Sequence, residues 1–368
     1  MTELPTTRDY RRLFLDDVPL LDVRAPVEFA QGAFPTAENV PIMDDEDRHT
    51  IGIRYKEAGQ QAAIDLGAER VSGAVREQRI AAWLDFARRH PDGVLYCFRG
   101  GMRSQIAQDW LQQALGRSYL RVEGGYKALR RYLMDEIDNA AREIRPLILA
   151  GRTGSGKTRV IEQTRESIDL EGLANHRGSA FGPQARPQPP QIDFENALSI
   201  QMLKCRAQGR LEQLFEDESI NIGARRIPRA FFDTMSRAPR ILLEVPTEER
   251  IDITLHEYTV EALSDFQHLY GEQDGFEQWA AYLLNSMDRI RKRLGGTRHR
   301  EIRTLVEQAI DLQRRSGDTS GHRASIARLL SDYYDPMYDY QIERSGQQPV
   351  FRGDREAVLD WLATNGYR

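Results

Sequence analysis

The chain has 368 residues, enough for two domains with cores of their own, and its 40% hydrophobic and 29% charged content is ordinary for a soluble globular protein. A net charge of -5 excludes a global attraction to nucleic acid or to an anionic membrane, so contact with either has to come from a local basic patch. Two cysteines exclude a disulfide framework, no apolar run is long enough to span a bilayer, and the first residues carry no charged-then-apolar leader; together these predict a cytoplasmic protein with reduced thiols and no membrane partner.

In chain order, "VPLLDVR" is an apolar run ending in charge and reads as a buried strand. "GAFPTAENVPI" is loop chemistry followed by a second short strand. From Ser72 to Arg89, apolar Val75, Ile80, Trp83, Leu84 and Phe86 recur at helical spacing. "GVLYC" reads as a strand and "SQIAQDWLQQAL" as an amphipathic helix with Ser104 as its predicted cap. "YLRVEGGYKALRRYLMDEI" reads as strand, tight turn and helix. This alternation predicts a parallel α/β domain over residues 1–135, and the polar "YLMDEIDNAAREIR" predicts a helical linker at 136–145.

"PLILAG" starts a new strand, "GKTRVIEQTRES" a new helix and "RILLEVP" a further buried strand, which places a second α/β domain at 146–250. From Thr247 onward the pattern is almost wholly helical, and residues 251–368 are expected to form a mainly helical region packed on that second domain. "FGPQARPQPPQIDFE" is the one proline-rich stretch and reads as a surface loop.

Two glycine-rich stretches carry chemistry. In "LYCFRGGMRS", Cys97 stands between a strand end and a helix start, where backbone N–H groups converge and the helix dipole favours an anion. A thiol is a nucleophile only as its thiolate, and Arg99 and Arg103 add positive charge, while Gly100 and Gly101 let the loop turn its amides inward. Such a sulfur could carry a persulfide or selenide, and the same cradle would accept a phosphate-like donor; the competing reading is a small core side chain. Cys205, in "QMLKCRAQ", has no such surroundings and reads as core.

"GRTGSGKT" matches G-x-x-x-x-G-K-[ST] between a strand and a helix, with Gly151, Gly154, Gly156, Lys157 and Thr158 as the phosphate-binding set. Its amides would wrap a phosphate, Lys157 would neutralise charge, and Thr158 could ligate Mg²⁺. The motif does not say whose phosphates these are. "LFEDES" offers Glu216, Asp217 and Glu218 for a metal; Asp217 is the favoured candidate, and a solvated acidic cluster is the competing reading. "EGLANHRGSAFG" gathers His176, Arg177 and Ser179 in a candidate ligand loop, or an ordinary turn.

"LLDVRAPVEFAQGAFPTAENVPI" resembles the N-terminal signature of rhodanese domains at Asp22, Arg24, Glu28, Phe29, Gly32, Pro35, Ala37, Asn39 and Pro41; Cys97 then falls at that family's sulfur-carrying cysteine, and "VEGGYKAL" resembles its closing motif. Asp22 and Arg24 are expected to hold the fold by ion pairing rather than to catalyse. A rhodanese-like domain followed by a P-loop NTPase-like domain and a helical region resembles, over nearly the whole chain, the tRNA 2-selenouridine synthase family. "CFRGGMRS", "DLEGLANHRGSAFG", "FENALS", "FEDESINIG" and "YYDPMYDYQI" all look like that family's segments, with Phe98 where many members carry Trp.

The resemblance implies two steps at the wobble uridine of certain tRNAs. The 2-thio sulfur attacks geranyl diphosphate to give an S-geranyl intermediate, and selenophosphate then supplies the selenium that displaces the geranylated thiol. It implies that Cys97 handles selenium, that Arg99 and Arg103 bind selenophosphate, and that a selenophosphate-producing enzyme is a candidate partner. tRNA binding must be local, and "DRIRKRLGGTRHR" supplies Arg289, Arg291, Arg293, Arg298 and Arg300 as candidates, or else a solvated helix face. Two other readings stay open on the residues alone: a persulfide sulfurtransferase with an ATP-dependent activation domain, and a nucleotide-gated sulfur carrier.

Overall fold

A computed structural model describes residues 4–367. The chain divides into two compact units, one joining residues up to Ala140 with Pro190–Gln208, the other joining Ala141–Pro189 with Gly209 onward.

The first unit is built on a five-stranded parallel sheet of β1 (Thr6–Thr7), β2 (Leu20–Asp22), β3 (Ala37–Asn39), β4 (Val94–Tyr96) and β5 (Leu120–Val122), in the order β1-β5-β4-β2-β3. β2 and β4 are buried along their whole length, as the apolar runs in the sequence predict for central parallel strands. One face packs Leu13, Phe14, Leu129 and Leu133; the other packs Trp83, Phe86, Ala107 and Leu111. The helix expected over Ser72–Arg89 spans Gly73–Arg89 and buries Trp83 and Phe86, while Val75 is exposed. A long helical stretch, Asp45–Arg70, was not legible in the sequence; it bends at Gly59, and Ala63 is its one buried residue, so it carries almost no apolar periodicity.

Two boundaries differ from expectation. Residues 136–143 are not a separate linker: they end the helix Gly125–Glu143, whose Leu129, Leu133, Ile137 and Ala140 are buried, and the next strand starts at Arg145. The helix Gln191–Ala207, expected inside the second domain, packs in the first unit. There Ile200 and Leu203 join the Leu13–Phe14–Leu133 cluster, Asp193 accepts from the Ala33 amide at 2.6 Å, and the Asn196 amide donates to the Ala33 carbonyl at 2.7 Å. Its Cys205 is buried and has no part in the Cys97 loop. Cys205→Ser is expected to leave activity within about twofold of wild type and to cost only ~1 kcal/mol of stability, read by thermal melting beside an activity assay.

The second unit carries a parallel sheet of β6 (Arg145–Ala150), β7 (Glu212–Glu216), β10 (Arg240–Leu243) and β11 (Phe351–Gly353) in the order β11-β10-β6-β7, with β8 (Asn221–Ile222) and β9 (Arg225–Arg226) as a separate hairpin. β6 is central and leads directly into the glycine-rich loop, and β7 lies beside it with Leu149 opposite Glu216. The region after Thr247 is helical as expected, with a core around Trp279, Met287, Ile302 and Leu330. It departs from expectation at β11, which returns to pair with β10. Two of its turns, His256–Glu261 and Leu330–Tyr334, are π-helical.

Candidate functional site

In the first unit the Cys97 loop is fixed by its neighbour. The amides of Tyr126 and Lys127 donate to the carbonyls of Cys97 and Phe98 at 2.9 and 3.0 Å. Gly100 has φ 64°, and a Cβ there would lie 2.7 Å from the Gly124 nitrogen, so the two turns interlock only through glycine. Gly101 has φ -94° and open space at its Cβ position, so the loop's shape does not require it, contrary to the sequence reading. The helix begins at Met102 with Gly101 as its N-cap. Ser104, predicted as the cap, is instead buried in the first turn. Its hydroxyl donates to the Gly101 carbonyl at 2.9 Å and accepts from the Cys97 thiol at 3.1 Å. Cys97 is 3% exposed.

The two arginines of this loop differ. Arg103 is paired with Glu28 through both guanidinium nitrogens, at 2.5 and 3.1 Å. Arg99 is exposed and makes no ion pair among the described residues, which leaves it as the loop's available cation. Asp22 and Arg24 form a fully buried pair that ties the Gly32 turn in place, with Arg24 donating to the Gly32 carbonyl at 2.8 Å and lying 3.9 Å over the Tyr126 ring.

In the second unit the glycine-rich loop opens onto a cleft of about 670 Å³ lined by Gly151, Gly154, Gly156, Lys157, Thr158, Arg177, Ser179, Asp217 and Arg293 among others. Gly154 has φ 78°, and a Cβ there would meet the Thr254 hydroxyl at 2.4 Å. Lys157 lies back across the loop and donates to the Gly151 carbonyl at 3.1 Å.

The loop is braced from the helical region. Arg250, 2% exposed, donates to the Thr153 carbonyl at 3.0 Å and to both carboxylate oxygens of Asp335 at 3.0 and 2.6 Å; Arg152 reaches Asp339 at 2.6 Å. Arg250 and Asp335 were missed in the sequence. The only signal was an Asp-Pro step in "YYDPMYDYQ", and nothing local links it to an arginine so far upstream.

The acidic residues sort by partner. Asp217 accepts from Arg240 at 3.0 Å, and burial raises its carboxyl above the usual range against the pull of Arg240 and Lys157. Glu171 and Glu218 are hydrogen-bonded to each other, and burial pushes both up, Glu218 well above the carboxylate range. Among the described residues no three His, Cys, Asp or Glu side chains form a metal-holding group. A Mg²⁺ ion in this cleft could draw on the Thr158 hydroxyl, on phosphate oxygens of the ligand and on Asp217, which also lines the cleft.

Glu216 is fully buried in β7; one oxygen accepts from the Leu170 amide at 3.2 Å and the other has no partner. Burial, then the neighbouring Asp169 and Glu171, raises it well above its ordinary value. The folded protein therefore keeps a proton that the unfolded chain releases above about pH 4.3, and this group's contribution to stability falls as pH rises from there. Glu216→Gln keeps the Leu170 bond and removes that dependence. Its melting temperature is expected to equal or exceed that of wild type near neutral pH, with a flatter profile in a pH-dependent melting series.

Of the candidate ligand loop, Arg177 and Ser179 line the cleft and His176 does not. His176 is buried, its Nδ1 unpartnered, and burial, with Arg289 adding to it, lowers its pKa, so it is neutral packing at physiological pH. Ser179 is 3.1 Å from the Tyr258 hydroxyl. A second, apolar cavity adjoins the cleft, lined by Phe181, Leu283, Val306, Ile326, Leu329 and others; it shares Thr153, Tyr258 and Tyr334 with the cleft lining. The basic segment is divided: Arg289 donates to the Ala180 carbonyl and to Ser286, Arg293 lines the cleft, and Arg291, Arg298 and Arg300 are exposed with no ion pair among the described residues.

A family model described as the tRNA 2-selenouridine synthase AAA domain matches residues 144–367, and a rhodanese-like domain model matches residues 7–131. A protein of Sulfurovum sp. (strain NBC37-1) named tRNA 2-selenouridine synthase is 49% identical over 98% of this chain and 99% of its own length. Proteins of the same name from Marinobacter nauticus and Pseudomonas fluorescens (strain Pf0-1) are each 50% identical, over 98% and 97% of both chains respectively. The chain belongs to the tRNA 2-selenouridine synthase family. As a member of that family it is an enzyme of the transferase class, and the helical region after Thr247, which lies inside the matched AAA model, is part of the tRNA 2-selenouridine synthase architecture.

Proposed function

We propose that this enzyme converts wobble 2-thiouridine in tRNA to 2-selenouridine through an S-geranyl intermediate, with geranyl diphosphate bound in the P-loop cleft and selenophosphate used at the Cys97 loop. The observation that carries the reading is the apolar lining beside the phosphate cleft: a small cavity of about 50 Å³, walled by Phe181, Leu283, Val306, Ile326 and Leu329, shares Thr153, Tyr258 and Tyr334 with it. A geranyl tail would have to widen that cavity, but an apolar wall beside a phosphate site suits an isoprenyl diphosphate better than a nucleotide with its polar base and ribose.

The order of steps follows from leaving-group chemistry. A thiocarbonyl sulfur leaves poorly, and alkylation turns it into a thioether sulfur that departs as a thiol. In the first step the loop amides and Lys157 stabilise the charge that develops on the departing diphosphate. In the second, Arg99 and the amides at the helix start would hold the anionic selenium donor against Cys97. Exposed Arg291, Arg298 and Arg300 would meet the tRNA backbone.

The test is purified protein supplied with thiolated tRNA and geranyl diphosphate, with no ATP present, followed by nucleoside mass analysis. S-geranyl-2-thiouridine is expected, and its conversion to 2-selenouridine on adding selenophosphate. A strict requirement for ATP hydrolysis in the first step would overturn the assignment of the cleft.

A further inference from the structure

Alkylating a 2-thiouracil ring on sulfur is not proton-neutral. The sulfur lone pair forms the bond to the allylic carbon, and that carbon's bond to oxygen breaks with its electron pair leaving on the diphosphate. The ring keeps its valence only if N3 gives up its proton and the N3–H pair becomes an N3=C2 double bond. A base is needed beside the site where the diphosphate departs. This inference rests on the reading of the P-loop cleft given above.

Most carboxyl groups of the cleft are already engaged. Asp169 caps the helix Leu170–Ala174 through the Gly172 amide at 2.6 Å. Glu171 and Glu218 are bonded to each other, and Asp217 accepts from Arg240. Glu261 faces His256 at 3.3 Å and Arg177 at 3.9 Å. Glu162 is exposed to solvent. Glu257 differs from all of these: it lines the cleft, is half-buried, and has no hydrogen bond or ion pair among the described residues. It sits in the π-helical turn His256–Glu261, a local distortion of the kind that re-aims side chains at functional sites. Its neighbour Tyr258 lines both the cleft and the apolar cavity.

We propose that Glu257 is the base that takes the N3 proton of the thiouracil ring as its sulfur is alkylated. The charged groups around it set its basicity. Burial pushes its carboxyl up to about 7; Arg177 from the ligand loop and Arg159 from the helix after the P-loop oppose that rise, and Glu261 and Glu171 reinforce it. A carboxylate of that basicity is half ionised near neutral pH and accepts a proton more readily than an ordinary glutamate.

The experiment is single-turnover S-geranylation of thiolated tRNA by the full-length protein across a pH series, comparing wild type, Glu257→Gln and Glu257→Asp. Wild type is expected to gain rate with pH through about 7 and then level off. Glu257→Gln should be slower by about 10²–10⁴-fold at neutral pH and should recover in alkaline buffer, where the ring loses its N3 proton without help. A defect of packing alone would not be relieved by alkali. Glu257→Asp should keep the shape of the wild-type profile at a lower plateau. Protection of the protein against thermal unfolding by inorganic diphosphate should be the same in all three.

Neutral-pH geranylation by Glu257→Gln within about threefold of wild type would overturn the proposal, as would a deficit of equal size at every pH. Both outcomes leave the reading of the cleft standing. Wild type that forms no S-geranyl product would overturn that reading and this assignment together.

Discussion

Cys97→Ser is expected to abolish selenium incorporation into tRNA while leaving the protein folded. The sulfur stands at the start of the helix Met102–Leu115, 3.1 Å from the Ser104 hydroxyl, beside a turn fixed by the Tyr126 and Lys127 amides. None of those main-chain bonds uses the thiol, so a serine of nearly the same shape keeps them. What is lost is a sulfur nucleophile that, on the proposed reading, attacks the phosphorus of selenophosphate, forming an S–P bond as the P–Se bond breaks and selenide leaves to displace the geranylated thiol; a serine hydroxyl is a far weaker nucleophile for that step. The expected loss is on the order of 10³-fold or more, equivalent to ~4 kcal/mol of barrier. Selenouridine content of tRNA, measured at equal soluble protein and with matched melting temperatures, checks it. Undiminished selenation by the variant would remove Cys97 from the mechanism.

Lys157→Ala is expected to stop geranylation and spare selenation of tRNA supplied already geranylated. Lys157 lines the cleft and reaches across the glycine-rich loop to the Gly151 carbonyl, and on the proposed reading a bound diphosphate would meet its ammonium there. A departing diphosphate accumulates negative charge on the oxygen that leaves, and a fixed ammonium beside it stabilises the transition state more than the ground state. Removing one such donor costs about 3–4 kcal/mol of barrier, a hundredfold or more in rate. On the proposed reading the second step uses the Cys97 loop, which lies in the other compact unit. Parallel assays with thiolated and S-geranylated tRNA separate the two effects, and loss of both activities would mean that the steps share the phosphate loop.

The two glycine-rich loops were legible because all their information is local. A buried apolar strand, a run of glycines and a helix start follow one another within a few residues in both "LYCFRGGMRS" and "LILAGRTGSGKT"; β4 and β6 form where the sequence indicates, and a helix follows each loop, the first starting at Met102 rather than after Ser104 and the second ending at Gln163 rather than running through "TRES". What the sequence hid depends on contacts between distant residues. Arg103 reads as a free cation until Glu28 is seen to hold it, and Arg250 reads as a surface residue until it is found buried between Thr153 and Asp335. The helix Gln191–Ala207 has apolar residues that would suit either unit, and long-range bonds such as those of Asp193, Asn196 and Ser199 reveal which one it completes. Glu257 is one of 56 acidic side chains, and nothing in its neighbours forecasts a π-helical turn.

The return of Pro190–Gln208 to the first unit has a consequence for how this chain can be made and cut. During synthesis the N-terminal sheet emerges with an apolar face uncovered over Leu13, Phe14 and Leu133, and the residues that cover it, Ile200 and Leu203, leave the ribosome only after β6 and the phosphate loop have been made. The N-terminal unit therefore cannot complete its core until part of its neighbour has been synthesised. For the same reason a protein ending near residue 135 would present a sticky, half-covered surface, and grafting this module elsewhere would require the later helix to be carried along with it.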